Sequence, residues 1–525
     1  MSIRQFETTQ VNAPFLGKPH YPISGLDQLG LNLTSERIFD LLLPGLNNVT
    51  GRIRYYSFYC WFFDWYASYI RTTSRTKQNN YLRRAEFILA LISAHKDQGG
   101  VPGITKALTI YEDSDELIDL TLGTQENNPS EGSYWKNPRG VLGQYYISSI
   151  KQMGILGDQG GKDGLYVRTD FKHDTKVSGK QLADAFAKNT SKTIHAFAKA
   201  IDNNFVTKKE LELLSKEFDM LAIPDNSEEQ HLLWKLFSGL DRPKDSDETY
   251  FRKETIALLL SNINDYEKED KYNQLNVPFD IYTKGWNVDY SDTKKLWYFF
   301  IIEQFWSVAC TGCLDSFLSI LDKESKNNWI DEVNLIEHII SKITDLFETD
   351  GVNVQNDLFF GVPFMEESVE EFVYFSKNEQ DPYLKIKYAL CAIQKLFLEN
   401  KESVTEILEL SNHFKIHTSS SFLITYNDFD AKREFSIRDF IKYFVTNNVI
   451  NRHHFVALRK LNATQNSAKF YREDGMIRLV DRFKYDYSSP RIHTLIDFMR
   501  DLNIIDTEDT ALTSKGEQQL KDLGQ

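Results

Sequence analysis

Gln144–Leu156 (QYYISSIKQMGIL), then Leu165–Thr169 (LYVRT) and Lys176–Phe186 (KVSGKQLADAF), form the stretch that sets the fold class of this chain. Apolar residues recur at helical spacing through the first piece, which closes on Gly154-Ile155-Leu156. A glycine-rich turn, Gly160-Gly161-Lys162-Asp163-Gly164, leads to the short strand LYVRT, and KVSGKQLADAF opens another helix. The C-terminus repeats this order. Pro490–Leu502 (PRIHTLIDFMRDL) reads as a helix that Asn503-Ile504-Ile505 closes. Ala511-Leu512-Thr513 reads as a short strand, and Ser514-Lys515-Gly516 starts a last helix.

Helix, apolar exit, turn, strand ending in Thr and a Ser/Gly/Lys helix start is also the order of the helix-plus-wing half of winged-helix domains. Both segments resemble that family, over about forty residues in the first third and about sixty at the end. The resemblance implies small β wings on a helical body. It also implies either a recognition helix and wing that bring Arg and Lys to phosphates and base edges, or a protein-interaction module of the same shape.

Outward from these segments the chain is helical. Val49–Ile70 is so dense in Tyr, Phe and Trp that almost no polar face remains, which predicts a helix buried on nearly every side. Asn80–His95, Gly103–Leu122, Lys208–Leu221 and Tyr383–Asn400 read as further helices. Leu296–Leu321 is the most apolar run, but Glu303, Gln304 and Asp315 interrupt it, so it reads as a core helix rather than a membrane span. The expected fold class is therefore mainly α, a multidomain helical protein with two small winged-helix-like units. With 525 residues, 41% hydrophobic and 13% aromatic, several ordered domains are expected. The divisions fall at 1–122 (aromatic-rich and helical), 123–222 (winged-helix-like), 223–414 (helical, with an acidic segment 321–381) and 415–525 (basic, winged-helix-like). Pro224–Glu229 and Asp241–Thr249 are the candidate linkers.

Charge is uneven along the chain, whose formal net charge is −14. Leu321–Asp381 holds 15 acids against four Lys, whereas Asn447–Arg500 holds ten Arg and Lys against five acids. The second stretch is the candidate nucleic-acid surface, with Arg472, Arg478, Arg482, Lys484 and Arg491 as its contacts. Tyr134, Trp135 and Arg139 stand in a polar Asn/Pro/Gly loop, where a Trp needs a pocket or a partner, and form a candidate ligand or partner contact.

Catalytic motifs are absent from this reading. Cys310-Thr311-Gly312-Cys313 has redox spacing but lies within the apolar helix, so a buried structural pair is expected. His413 and His417 would share a helix face without the Glu that a zinc protease needs, and His453-His454 reads as solvated. Arg52, Arg54 and Arg71 beside the aromatic helix are expected to stack on the protein's own rings. No metal or cofactor is expected. The opening MSIRQFETTQ has no secretory or transit pattern, so a cytoplasmic protein with no membrane partner is expected.

Ile23–Trp65, containing ISGLDQLG and LLPGLNNVTGRIRYYSFYCWFFDW, is similar to N-terminal stretches of uncharacterised bacterial proteins of anti-phage defence gene clusters. That resemblance implies a component that works with other protein subunits. The expected function is a non-catalytic, nucleic-acid-linked adaptor or sensor subunit of a bacterial multi-protein system. A metal-dependent nuclease with scattered carboxylates and a protein-interaction scaffold without nucleic-acid affinity are the alternatives, and a homo-oligomer is compatible with each.

Overall fold

The computed structural model describes residues 21–22, 27–124, 136–160, 164–170, 176–240, 247–265, 276–326, 328–361, 364, 366–461, 465–488, 491–506 and 511–524. It is mainly helical, and its sheets have two or three strands each. Two compact units are present, each built from two separated stretches. An aromatic unit comprises Phe39–Asp280 and Ser489–Gln525, and a long-helix unit comprises Met1–Ile38 and Ile281–Ser488. The boundaries expected at 122, 222 and 414 fall inside these units, and the expected C-terminal domain 415–525 is divided between them.

In the aromatic unit, helix α1 (Arg54–Trp65) runs on into a wider π-turn at Tyr66–Ile70. Every residue from Arg54 to Phe63 is buried. Each large ring so enclosed contributes about 2 kcal/mol of hydrophobic stabilisation. Helix α2 (Arg75–His95) starts at Ser74, whose hydroxyl accepts the Lys77 N–H. The short helix α3 (Ile147–Gln152) leads into hairpin β1 (Leu156–Gln159) and β2 (Leu165–Arg168), paired antiparallel. Helix α4 (Gly179–Asn189) opens with a reciprocal capping box between Ser178 and Gln181 and lays Phe186 against Phe58 and Trp61. The helix expected through Leu122 stops at Asp113. There Ser114 turns extended and Leu117–Asp119 pairs antiparallel with Phe205–Thr207, a long-range ladder overriding local helical pattern.

Arg54 is buried, as the internal reading expected. Its guanidinium donates to both oxygens of Glu229 and to the Asp219 and Ala222 carbonyls, and it lies over the Phe186 ring. Ser57 and Asn189 also donate to Glu229, so every lone-pair direction of this enclosed carboxylate is used. Pro224–Glu229, expected as a linker, is thus an anchored turn and helix start.

The long-helix unit is arranged on α5 (Asp292–Ser325), 34 residues long and enclosed on all sides over most of its length. Two of its polar interruptions, Gln304 and Asp315, are met by side chains and backbone of the same unit. Gln304 donates to Ser35 Oγ at 2.8 Å and accepts from Ser488 N–H at 2.6 Å, and Asp315 faces Lys385 and Arg482. Cys310 and Cys313 are buried on this helix, and burial pushes both thiols up. Among the described residues, no helix is long and apolar enough to cross a membrane.

A three-stranded sheet joins β3 (Ile330–Asp331), which precedes α6 (Glu332–Thr349), to a hairpin further along the chain. Helices α7 (Val369–Asn378), α8 (Pro382–Glu399), α9 (Phe422–Asp430) and α10 (Arg452–Lys460) come between. The hairpin is β4 (Phe470–Glu473) and β5 (Met476–Leu479), with β5 central. Asp474 and Gly475 turn it with φ of 48° and 77°, the two positive values of a type I′ turn.

Back in the aromatic unit, α11 (Ile492–Asp501) and α12 (Ser514–Leu523) close the chain. Here the internal repeat is visible in backbone bonds. Thr169 N–H donates to Ile155 O at 2.9 Å and Thr513 N–H to Ile504 O at 3.0 Å. The Thr hydroxyls donate to Gly154 O and Asn503 O at 2.8 and 2.7 Å. Gly154 and Asn503 both take positive φ, as residues that end a helix often do. Gly179 and Gly516 sit in the first turn of the following helix so close to the Ile155 and Ile504 carbonyls that a Cβ would stand 2.2 and 2.1 Å from the oxygens.

Candidate nucleic-acid interface

The five cations expected to form one basic face are divided between the two units. Arg472, Arg478, Arg482 and Lys484 belong to the long-helix unit and Arg491 to the aromatic unit. Arg472 is on β4 and makes a bidentate pair with Glu332 at 2.6 and 2.8 Å, with a third donor on Asn451 Oδ1. Arg482 pairs with Asp315 at 2.8 Å. Arg491, at φ 58°, pairs with Asp40 at 2.6 Å, donates to Leu46 O and sits over the Phe39 ring. Each of those three has a carboxylate partner, although Arg482 shares Asp315 with Lys385. Counting charge along the sequence overstated the surface because it could not see carboxylates arriving from distant helices.

Arg478 and Lys484 remain. Among the described residues no carboxylate pairs with either. Arg478 stands on β5 directly across from Tyr471 on β4. The alternation of a strand puts Phe470 and Ile477 inward, both buried, and leaves Tyr471 outward at 45% exposure. Asn466 donates to the Tyr471 hydroxyl at 2.8 Å and steadies the ring. An exposed aromatic beside an uncompensated guanidinium is the pairing by which proteins stack bases and hold phosphates. Tyr471 was missed in the sequence, although Asp474-Gly475 between FYRE and MIRL is a hairpin signal that would have placed it.

His453 corrects its expected solvated state. It is buried on α10, with Nδ1 at 3.0 Å from Gln28 O and Nε2 accepting the Lys469 N–H at 3.0 Å. This fixes a neutral imidazole, and burial lowers its pKa to about 4. The helix carrying His413 ends at that residue, so His417 does not share its face and instead meets Ser411 Oγ. Among the described residues no group of three His, Cys, Asp or Glu is placed to hold a metal ion.

Tyr134 and Trp135 lie outside the described residues. Arg139, from the same candidate contact, is exposed and donates to the Tyr166 hydroxyl at 3.2 Å. The segment carrying it is tied down by Glu86, which accepts the N–H groups of Val141 and Leu142 and the Tyr59 hydroxyl. Burial raises the Glu86 carboxyl to about 7, against the lowering effect of those bonds.

No family model, curated protein or solved structure matches the chain.

Proposed function

We propose that the chain is a non-catalytic adaptor subunit that engages nucleic acid through the outer face of hairpin β4–β5. What carries this reading is Tyr471, exposed and directly opposite Arg478, which has no carboxylate partner among the described residues. The ring offers a stacking surface and the guanidinium a phosphate contact, with the exposed Lys484 adding charge. The resemblance of two segments to winged-helix domains, and of Ile23–Trp65 to proteins of defence gene clusters, agrees with a cytoplasmic subunit of a bacterial multi-protein system.

The test is fluorescence anisotropy with labelled single-stranded and duplex oligonucleotides at about 50 and about 200 mM salt. Binding that weakens with salt, and that Tyr471→Ala and Arg478→Glu each reduce, supports the reading. No binding at the lower salt, or binding indifferent to both changes, refutes it. Adding Mg²⁺ or Mn²⁺ to the same samples tests the nuclease alternative, through cleavage of the oligonucleotide.

A second reading, a scaffold without nucleic-acid affinity, is favoured by the outer row of α10. Phe455 and Leu458, with Leu461 just beyond, are 60%, 57% and 49% exposed. That row would join two copies of the chain. Sedimentation should then show concentration-dependent self-association that Phe455→Ser with Leu458→Ser abolishes.

A further inference from the structure

We infer that the guanidiniums of Arg75 and Arg139, which meet at Tyr166 of hairpin β1–β2, form a phosphate-binding site, with Lys151, already bonded to Asp158, beside them. The inference rests on the aromatic unit alone and is independent of the reading of β4–β5. Tyr166 is a buried ring on β2. The Arg75 guanidinium lies 3.4 Å from its ring centre and donates to Gly164 O. Arg139 donates to its hydroxyl, and Lys151 Nζ stands 5.3 Å from the ring centre.

Like charges held around one neutral ring repel one another, and a fold keeps such a cluster at a cost unless an anion offsets it. Among the described residues the only carboxylate touching the three is Asp158, bonded to Lys151. Arg168, on the same strand, is already met by Asp64 at 2.8 Å and Asp170 at 3.8 Å, so its charge is compensated. Arg75 and Arg139 have no carboxylate partner among the described residues, and each keeps several of its five N–H donors unused.

Both arginines are mounted rigidly. Arg75 opens α2 just after the Ser74 cap and is stacked on the ring, while Arg139 has its backbone N–H held by Asn137 Oδ1 and is followed by the Glu86-bonded turn. Planar guanidiniums fixed in advance lose little freedom when they grip oxyanions in pairs. Two guanidiniums in contact with one phenol ring suit a ligand with adjacent phosphates, either a free polyphosphate such as a nucleotide tail or the backbone of a nucleic acid.

The experiment titrates the full chain with inorganic triphosphate by calorimetry, and with a labelled single-stranded oligonucleotide by anisotropy, at low salt. Variants are Arg139→Glu, Arg75→Gln and, in the other unit, Arg478→Glu. The expected result is binding of at least one probe that Arg139→Glu weakens by about tenfold or more, Arg75→Gln weakens less and Arg478→Glu leaves unchanged for triphosphate. Triphosphate binding assigns the site to free polyphosphate. Oligonucleotide binding sensitive to Arg139 without triphosphate binding assigns it to backbone phosphate. Wild-type protein that binds neither probe, or binding that a correctly folded Arg139→Glu retains in full, overturns the inference. Because Arg139 is exposed, its variant is expected to keep the wild-type melting temperature, which separates loss of the site from loss of the fold.

Discussion

The aromatic unit and the long-helix unit each bury a glutamate that meets the start of another helical segment, and they equip it differently. Glu86 receives two backbone N–H groups and a tyrosine hydroxyl, spread over both oxygens. Glu303 on α5 receives Ser421 Oγ and Phe422 N–H, both on Oε1, while Oε2 is buried with no partner among the described residues. Burial raises Glu86 to about 7 and Glu303 to about 8. Burial is the dominant cause in both, and the hydrogen bonds each carboxylate accepts oppose it.

The hairpins of the two units differ in the same spirit. At β4–β5 the helices α5 and α6 send Asp315 and Glu332 to the basic side chains, leaving Arg478 beside an exposed tyrosine. At β1–β2 the tyrosine is buried, and among the described residues no carboxylate pairs with Arg75 or Arg139. Cation count is a poor guide to an anion-binding face, and the location of carboxylates is a better one.

The largest loss of stability is expected at Glu86. Glu86→Ala should cost about 4 kcal/mol in urea unfolding, because two buried N–H groups and a hydroxyl lose their acceptor together. A loss below about 1 kcal/mol would mean that the segment after Gly140 is held by something else. Next, Arg472→Ala should cost about 3 kcal/mol, since Glu332 is nearly enclosed and loses both guanidinium bonds. Oligonucleotide binding by that variant should equal wild type, which separates a structural arginine from a binding one.

Glu303→Gln sharpens the comparison through pH. The folded value of Glu303 lies above its ordinary 4.5, so the stability tied to its proton is full below about pH 4.5 and is lost as pH rises towards 8. The difference in unfolding free energy between wild type and variant, from urea unfolding, should therefore move in the variant's favour across that window, by about 5 kcal/mol at most. A flat difference would place Glu303 at an ordinary carboxylate value. Smallest in stability is Arg478→Glu, expected within about 0.5 kcal/mol of wild type by thermal melting while oligonucleotide affinity falls.

Much of the fold was legible in the sequence because its signals are local. Ring density foretold the enclosure of Arg54–Phe63, though not the exposure of Val49 and Tyr69 at the ends of the expected helix, and the interrupted apolar run at Leu296–Leu321 foretold a core helix. The repeated order of helix exit, Thr and Gly-bearing helix start corresponds bond for bond at Thr169 and Thr513. The helix expected over Gly103–Leu122 failed where a partner strand from Phe205–Thr207 competed for the backbone. Of the residues in the two proposed sites, the sequence singled out Arg139 from its loop and Arg478 from its charge, but not Tyr166, Arg75 or Tyr471.

By itself the sequence determined the mainly helical class, the buried ring-rich helix and the repeated helix ends, because periodicity, capping and turn chemistry act over a few residues. Only the tertiary structure decided how the chain divides into two units, each made of two separated stretches, and which cations lack a carboxylate partner among the described residues. Glu332 reaches Arg472 across 140 residues of chain, and Asp315 reaches Arg482 across 167. Electrostatic compensation depends on distance in space, which no local pattern in the sequence encodes.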